Sequence, residues 1–367
     1  MSGPAPVDAA PDVVCLGESM VTFLPSRPGR LADVPSFTRA IGGAESNVAC
    51  SLAAAGHRVR WVGRVGSDGF GDHLVDTIGG HGVDVTAVGR DPHRPTGVYF
   101  RTDEDRATDA HEVVYYRAGS AASAMSPATV PYDSVAGARI LHLTGITAAL
   151  SADCLALMRE LTAPRPGRPL VSFDVNHRPG LWRDGSAPSV LLDLARRADV
   201  VFVGADEAER LWGVADPATI RTVLAEPAVL VVKRGAEGAV AFERRDPAPP
   251  AFEARGPGRS PGSTGTGPAT DTVTHTPAPR VTVVSPVGAG DAFAAGFLSG
   301  TLLGLRMTAR LRHGHLVAAA VLTVPGDLAA PPRRGHADRL AALDDAAWGT
   351  LHLGPGWTGD DQEVRTP

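Results

Sequence analysis

The chain has 367 residues, 43% hydrophobic and 20% charged, with a formal net charge of -5. That suits one large α/β domain with an attachment, or two ordinary domains. It excludes a general nucleic-acid binder, because no long Lys/Arg run supplies a phosphate-tracking surface. The three cysteines, Cys15, Cys50 and Cys154, form no CxxC pair, which argues against a disulfide framework or zinc knuckle and fits a reducing cytoplasm.

The first eleven residues lack the basic and apolar regions of a signal peptide and read as a disordered tail. The longest apolar runs are too short to cross a bilayer, so no membrane partner is expected. Val13 to Gly17 reads as a first strand, Asn47 to Ala55 as a helix, Val59 to Val65 as a strand and Gly71 to Gly80 as a helix. Ile140 to Leu143, Leu170 to Asp174, Val200 to Val203 and Val229 to Lys233 are continuous apolar runs, as parallel strands covered on both faces should be. Helical patterns at Asp153 to Leu161 and Val190 to Ala198 lie between them. The alternation predicts an α/β fold with a doubly wound, mostly parallel sheet.

Residues 19–39 and 96–118 break this pattern. They are β-rich, without helix, and Val98 to Phe100 pairs naturally with Val113 to Tyr116 across the polar loop 103–109. They are expected to form a small β-sheet lid. Residues 244–280 are rich in Pro, Gly, Ser and Thr and predict a mobile surface insertion without a catalytic part. After Pro331 the pattern gives one helix, Ala337 to Ala347, and a loose tail to 367.

Chemistry concentrates at two places. Near the C-terminus, a strand over Val281 to Val284 enters Gly288-Ala289-Gly290-Asp291, and a helix of small residues leaves it. Such a turn aims backbone N–H groups and a positive helix end at one spot, an anion hole for a transferring phosphoryl group. Asp291 beside it is a candidate base, and Asp is also a favoured helix cap. The turn is no Walker P-loop, because no GK[ST] follows. Far upstream, Gly42-Gly43-Ala44-Glu45-Ser46-Asn47 places a glycine pair before a helix. Asn47 there can both donate to and accept from a hydroxylated ligand, or simply cap the helix.

Together the two segments resemble the paired signatures of the ribokinase-like (pfkB-type) carbohydrate kinases, over about Val13 to Asp327. The resemblance implies an αβα sandwich with a β-sheet lid, a kinase domain over 12–330, and ATP with Mg²⁺ as cofactors. Within that family the chain is similar to 2-keto-3-deoxygluconate kinases. Tyr115-Tyr116-Arg117-Ala118-Gly119-Ser120-Ala121, His142-Leu143-Thr144-Gly145 and Asp174-Val175-Asn176-His177-Arg178 carry that likeness.

The implied roles follow. Gly43 and Asn47 would meet the hydroxyl end of the sugar, Tyr99 and Tyr115 would line it from the lid, and Arg117 and Arg178 would hold its carboxylate and keto end. An arginine fork matches a carboxylate, a need that a neutral sugar lacks. Lys233, Arg234, Gly235 and Gly238 resemble the nucleotide-binding turn, and Asn176 a position near the triphosphate. Glu207 would act through metal-bound water. Three positions depart from the family pattern. Gly204 replaces a polar residue, Ser285 an aspartate that would serve a monovalent cation, and His315 an asparagine near the adenine. A kinase for fructose, ribose or a deoxy-keto-inositol, and a sugar-acid binding protein without catalysis, remain open at this level. The lid's open edges predict at least a dimer.

Overall fold

The computed structural model describes residues 10–27, 29–102, 112–244 and 271–359. Eight strands form the main sheet. In spatial order they are Asp271–Thr276, Ala239–Arg244, Val229–Lys233, Val200–Gly204, Leu170–Asp174, Ile140–Thr144, Val13–Leu16 and Val59–Val62. From Val229–Lys233 to Val59–Val62 all neighbours are parallel, while Ala239–Arg244 runs antiparallel to both of its neighbours.

The apolar runs of the parallel strands are explained by burial on both faces. Val14, Leu16, Leu141, Leu143, Val171, Phe173, Val201 and Val203 turn one way and pack on helices Ala152–Leu161, Ala187–Arg196 and Ala205–Trp212. Val13, Cys15, Ile140, Val200, Phe202 and Val231 turn the other way, onto helices Ala44–Ala54, Gly69–Gly80, Ala289–Leu302 and Met307–Leu322. The three cysteines are free and buried as small core residues. Among the described residues, no helix is long and apolar enough to cross a membrane.

The lid is a separate four-stranded sheet in the order Phe37–Gly42, Met20–Pro25, Val98–Arg101, Val113–Tyr116. Tyr99 pairs with Tyr115 on the face toward the main sheet's strand ends. On the other face Phe23 stacks on Phe100, with Phe37 and Tyr116 edge-on to Phe100. The expectation of no helix in the first lid segment needs a small change, since Leu31–Asp33 makes one turn of 3-10 helix. The first lid segment also runs beyond Arg39 to Gly42, straight into the glycine pair. The loop 103–109 lies outside the described residues.

Other expectations are revised. The strand over 59–65 is two strands, Val59–Val62 and Arg64–Gly66. The second leaves the main sheet and pairs with Gly89–Asp91. The low-complexity segment ends earlier than 280, because Asp271–Thr276 is the edge strand of the main sheet. Residues 245–270, where the rest of the predicted insertion falls, lie outside the described residues. The strand before the glycine turn is only Arg280–Val281, paired with His352–Leu353.

The C-terminal stretch is packed instead of loose up to Gly359. Its helix is two helices, Arg334–Ala341 and Asp345–Thr350, broken where Asp344 caps the second through the Ala347 N–H. Trp348 is fully buried among Leu316, Ala319 and Ala320, and its indole donates to the Pro277 carbonyl at 2.8 Å. Trp357 and Leu353 complete this third cluster.

Trp348→Ala should therefore cost about 3–5 kcal/mol of stability, through a large cavity and an orphaned carbonyl. Denaturant unfolding measures it. A loss below about 1 kcal/mol would mean that the C-terminal cluster does not support the domain.

Candidate active site

A cleft of about 1010 Å³ opens between the strand ends of the main sheet and the lid. Ligands in open α/β sheets bind in such crevices at the carboxyl ends of strands. Both sequence signatures reach it.

Helix Ala289–Leu302 begins with Gly288 as its cap, at φ 80. A Cβ there would lie 2.4 Å from the Asp327 carbonyl oxygen, so glycine is required both by conformation and by space. Asp291 is the third residue of this helix, half-buried at the cleft wall. The upstream helix Ala44–Ala54 starts after Gly43, whose own Cβ would lie 2.5 Å from the Glu18 carbonyl oxygen. One turn on, Asn47 donates from Nδ2 to Asp291 Oδ2 at 2.9 Å. The buried Oδ1 of Asn47 has no protein partner.

Burial pushes the Asp291 carboxyl up to about 7; the Asn47 hydrogen bond opposes this, Asp174 adds to it, and Arg178 and Lys233 oppose it. A carboxyl near neutrality, beside helix-start amides, can take a proton while the amides receive an anion.

The lid contributes Tyr99 and Tyr115, ring centroids 5.4 Å apart. Tyr99 is buried and donates from its hydroxyl to Asp327 Oδ2 at 3.2 Å. The arginines differ in their commitments. Arg117 lines the cleft but is ion-paired to buried Glu18, which also accepts from Ser120. Arg178 lines the cleft without an ion pair among the described residues. Sequence reasoning missed Arg101, a buried lid residue paired to Asp327 at 2.9 Å. It also gave Asp174 and Asp327 no role, although both line the cleft.

Of the residues expected on the nucleotide side, Asn176, Gly204, Glu207, Lys233 and Gly235 also line the cleft. Glu207 caps its own helix. Its Oε2 accepts from the Gly204 N–H at 2.7 Å and its Oε1 from the His177 N–H at 2.9 Å. Lys233 donates to both oxygens of Asp174. Among the described residues, no group of three His, Cys, Asp or Glu side chains can hold a metal alone. A cation there would depend on phosphate oxygens and water, as magnesium does in nucleotide sites. The rigidly held Glu207 fits a contact through water.

Several predicted residues lie elsewhere. His315 is not in the cleft lining. Its ring is buried edge-on to Phe293, Nε2 lies 3.3 Å from the Thr276 carbonyl, and burial pushes its pKa down to about 4. Arg234 and Gly238 are also outside the lining. Arg234 turns to Glu237, and Gly238 shapes the turn at φ 110, close against Thr276. Ala289 reaches the site only as part of the helix's first turn, since its side chain is not in the lining.

A mostly parallel sheet between helix layers, with a separate β lid, is a ribokinase-like fold. The chain belongs to the pfkB family of carbohydrate kinases, whose model matches residues 10–334. It is an ATP-dependent enzyme of that family. It is 35% identical to a 2-dehydro-3-deoxygluconokinase of Bacillus subtilis, covering 90% of this chain and 95% of that protein. A 2-dehydro-3-deoxygluconokinase of Thermoproteus tenax is 32% identical, covering 92% and 96%. The crystal structure of a PfkB protein from Polaromonas sp. JS666 superposes with a TM-score of 0.72, at 32% identity over 91% of this chain and 100% of that one.

Gly288→Ala should displace the phosphate turn. A side chain in the left-handed region costs about 1–2 kcal/mol, before the contact with Asp327 is counted. A shift of the turn by an ångström would lower turnover roughly 10²-fold. Thermal melts and steady-state kinetics report both. Unchanged turnover would contradict the placing of the anion hole at this turn.

Proposed function

We propose that this enzyme phosphorylates the C6 hydroxyl of 2-keto-3-deoxy-D-gluconate by direct in-line transfer from ATP, with Asp291 as the base. The observation that carries the reading is a carboxylate, Asp291, held by Asn47 in the first turn of its helix and sharing one cleft with an uncommitted guanidinium, Arg178. The first needs a hydroxyl to deprotonate. The second needs an anion, and a sugar acid supplies both. The two curated relatives carry the same activity in their names.

In this reading Asn47 holds Asp291 toward the hydroxyl, and its free Oδ1 accepts from the sugar. Gly43 allows close approach, and Tyr99 and Tyr115 cover the sugar from the lid. Arg178 meets the carboxylate. Arg117, already neutralised by Glu18, offers an unpaired Nε–H to the keto end. The amides of Gly288, Ala289, Gly290 and Asp291 face the transferring group. Asn176, Gly204 and Gly235 adjoin the nucleotide. A magnesium ion would be held through water at Glu207 and would supply charge neutralisation on the phosphates. The sugar proton passes to Asp291 as the new O–P bond forms and the bond to ADP breaks.

The lid edge Val113–Tyr116 exposes Val114, Tyr115 and Tyr116. We infer pairing of lids between two subunits, which would cover this edge. Light scattering at micromolar concentration should give at least a dimer mass, and a monomer would end that reading.

Asp291→Asn should lower turnover by roughly 10²–10⁴-fold, with ATP binding retained. The wild-type kcat/KM should rise with pH through about 7 and the residual activity of the variant should not. Because folding raises this carboxyl's pKa above 3.8, wild-type stability falls as pH rises from there through about 7. The variant should therefore be the more stable protein at pH 8. A phosphoryl-acceptor panel tests the substrate, with Arg178→Met raising the sugar-acid KM roughly 10- to 100-fold, as loss of a charge-assisted hydrogen bond does. Neutral ketoses outpacing keto-deoxy sugar acids would overturn the specificity. Near wild-type turnover in Asp291→Asn would overturn the base.

A further inference from the structure

Asp174 and Lys233 end two strands of the main sheet, with strand Val200–Gly204 between them. Gly204, in register with Lys233, carries no side chain. The lysine therefore crosses the open end of the middle strand. Its Nζ donates to Asp174 at 2.7 and 3.0 Å. Asp174 is only 2% exposed. A Cβ on Gly290 would lie 3.7 Å from the same Nζ, so the ammonium stands directly behind the glycine turn. A buried ion pair is a poor stabiliser, and an apolar pair would serve the sheet equally well. The position of this one, against the anion hole and open to the cleft, gives it another use.

We propose that Lys233 is a catalytic residue that contacts the transferring phosphoryl group, and that Asp174 is the positioning residue that holds its ammonium at the phosphate turn. The assignment deepens the phosphotransfer reading above and rests on it. The turn's amides are fixed dipoles. Lys233 adds a full charge on a flexible stem, able to follow the phosphoryl oxygens as they flatten and move between donor and acceptor. Asp174 supplies the counter-charge while no phosphate is present. Burial works against the Lys233 ammonium, and Asp174, Glu207 and Asp291 together outweigh it, so the pKa is raised and the charge kept. Lys233 neither gains nor loses a proton in the step. The sugar proton goes to Asp291 and the electron pair of the broken P–O bond to ADP.

Asp291 provides an internal reporter. It is faced by Asn47 from helix Ala44–Ala54, Asp174 and Lys233 from their strand ends, and Arg178 from the loop after Asp174. Lys233 and Asp174 bear on its carboxyl with opposite sign.

The test uses full-length Lys233→Met, Lys233→Arg and Asp174→Asn, with melts to establish folding. Lys233→Met should lose roughly 10²–10³-fold in kcat, the scale for removing one stabiliser of transition-state charge, with little change in the sugar KM. Lys233→Arg should recover part of that loss. The acid limb of kcat/KM should move to higher pH in Lys233→Met and to lower pH in Asp174→Asn, which reports where the two charges stand, while a loss in kcat without a change in KM is what a merely structural pair would not give. If Lys233→Met leaves Asp174 unpaired and fails to fold, the double variant with Asp174→Asn removes both charges and should show the same loss in kcat. A raised ATP KM with unchanged kcat, or limbs that move together, would overturn the proposal. Asp291→Asn separates the two ideas. If that variant stays active the base reading fails, while the kcat of Lys233→Met still decides this one. If that variant is dead and Lys233→Met retains its kcat, only this one fails.

Discussion

One hydrogen bond joins the two halves of the chemistry. Asn47 and Asp291 are 244 residues apart in the chain and 2.9 Å apart in space. For them to meet, the first turns of helices Ala44–Ala54 and Ala289–Leu302 must converge, and the small residues of both helices allow it. Val48, Ala49, Leu52, Ala294, Ala295 and Leu298 are all buried in one cluster. Around this contact three glycines have a steric reason. Gly42 leaves room for the Tyr99 hydroxyl, Gly43 for the Glu18 backbone, and Gly288 for Asp327. The helix pair brings the Asp291 carboxylate and the glycine turn up to Asn47, and the lid strands close over them from the same glycine loop.

Inside the cleft, most charge is already balanced by the protein. Arg117 has Glu18, Arg101 has Asp327, and Lys233 has Asp174. Each pair leaves hydrogen-bonding capacity free while removing net charge, so a ligand meets oriented donors with little excess field. Among the described cations of the cleft wall, Arg178 has no such partner. In the proposed reading, specificity is a matter of which cations are left unpaired, more than of how many line the wall.

Much of this could be read from the sequence, for physical reasons that differ by element. The parallel strands were legible because burial on both faces forces runs such as Val229-Leu230-Val231-Val232. The lid strands were legible from aromatic alternation, and the two glycine loops from spacing. Asp271–Thr276 was hidden because an edge strand tolerates Thr and His, which blend into the polar segment before it. The split at Asp344 was hidden because two short helices leave one continuous amphipathic trace. The packing of His315 was hidden because a position on a helix does not reveal which way the ring turns, and here it turns inward against Phe293. The ion pairs were the least accessible feature. Nothing in residues 18, 101 or 327 announces a partner far along the chain, so the pairing of Arg117 with Glu18 could not be read from the sequence.

The edge hairpin has a consequence for how this enzyme can vary. Arg244 and Asp271 are direct partners across the strand pair, and Asp271 is also clamped by Arg221 at 2.7 Å. Residues 244 and 271 thus lie at adjacent points of the sheet, anchored on both sides. Closure entropy rises only with the logarithm of the length between such points. Strands Ala239–Arg244 and Asp271–Thr276 also lie at the far edge of the sheet from the lid-bearing strand Val13–Leu16. Evolution or an engineer could lengthen, shorten or replace what joins them, or thread a second domain through the gap, while the catalytic cleft keeps its shape.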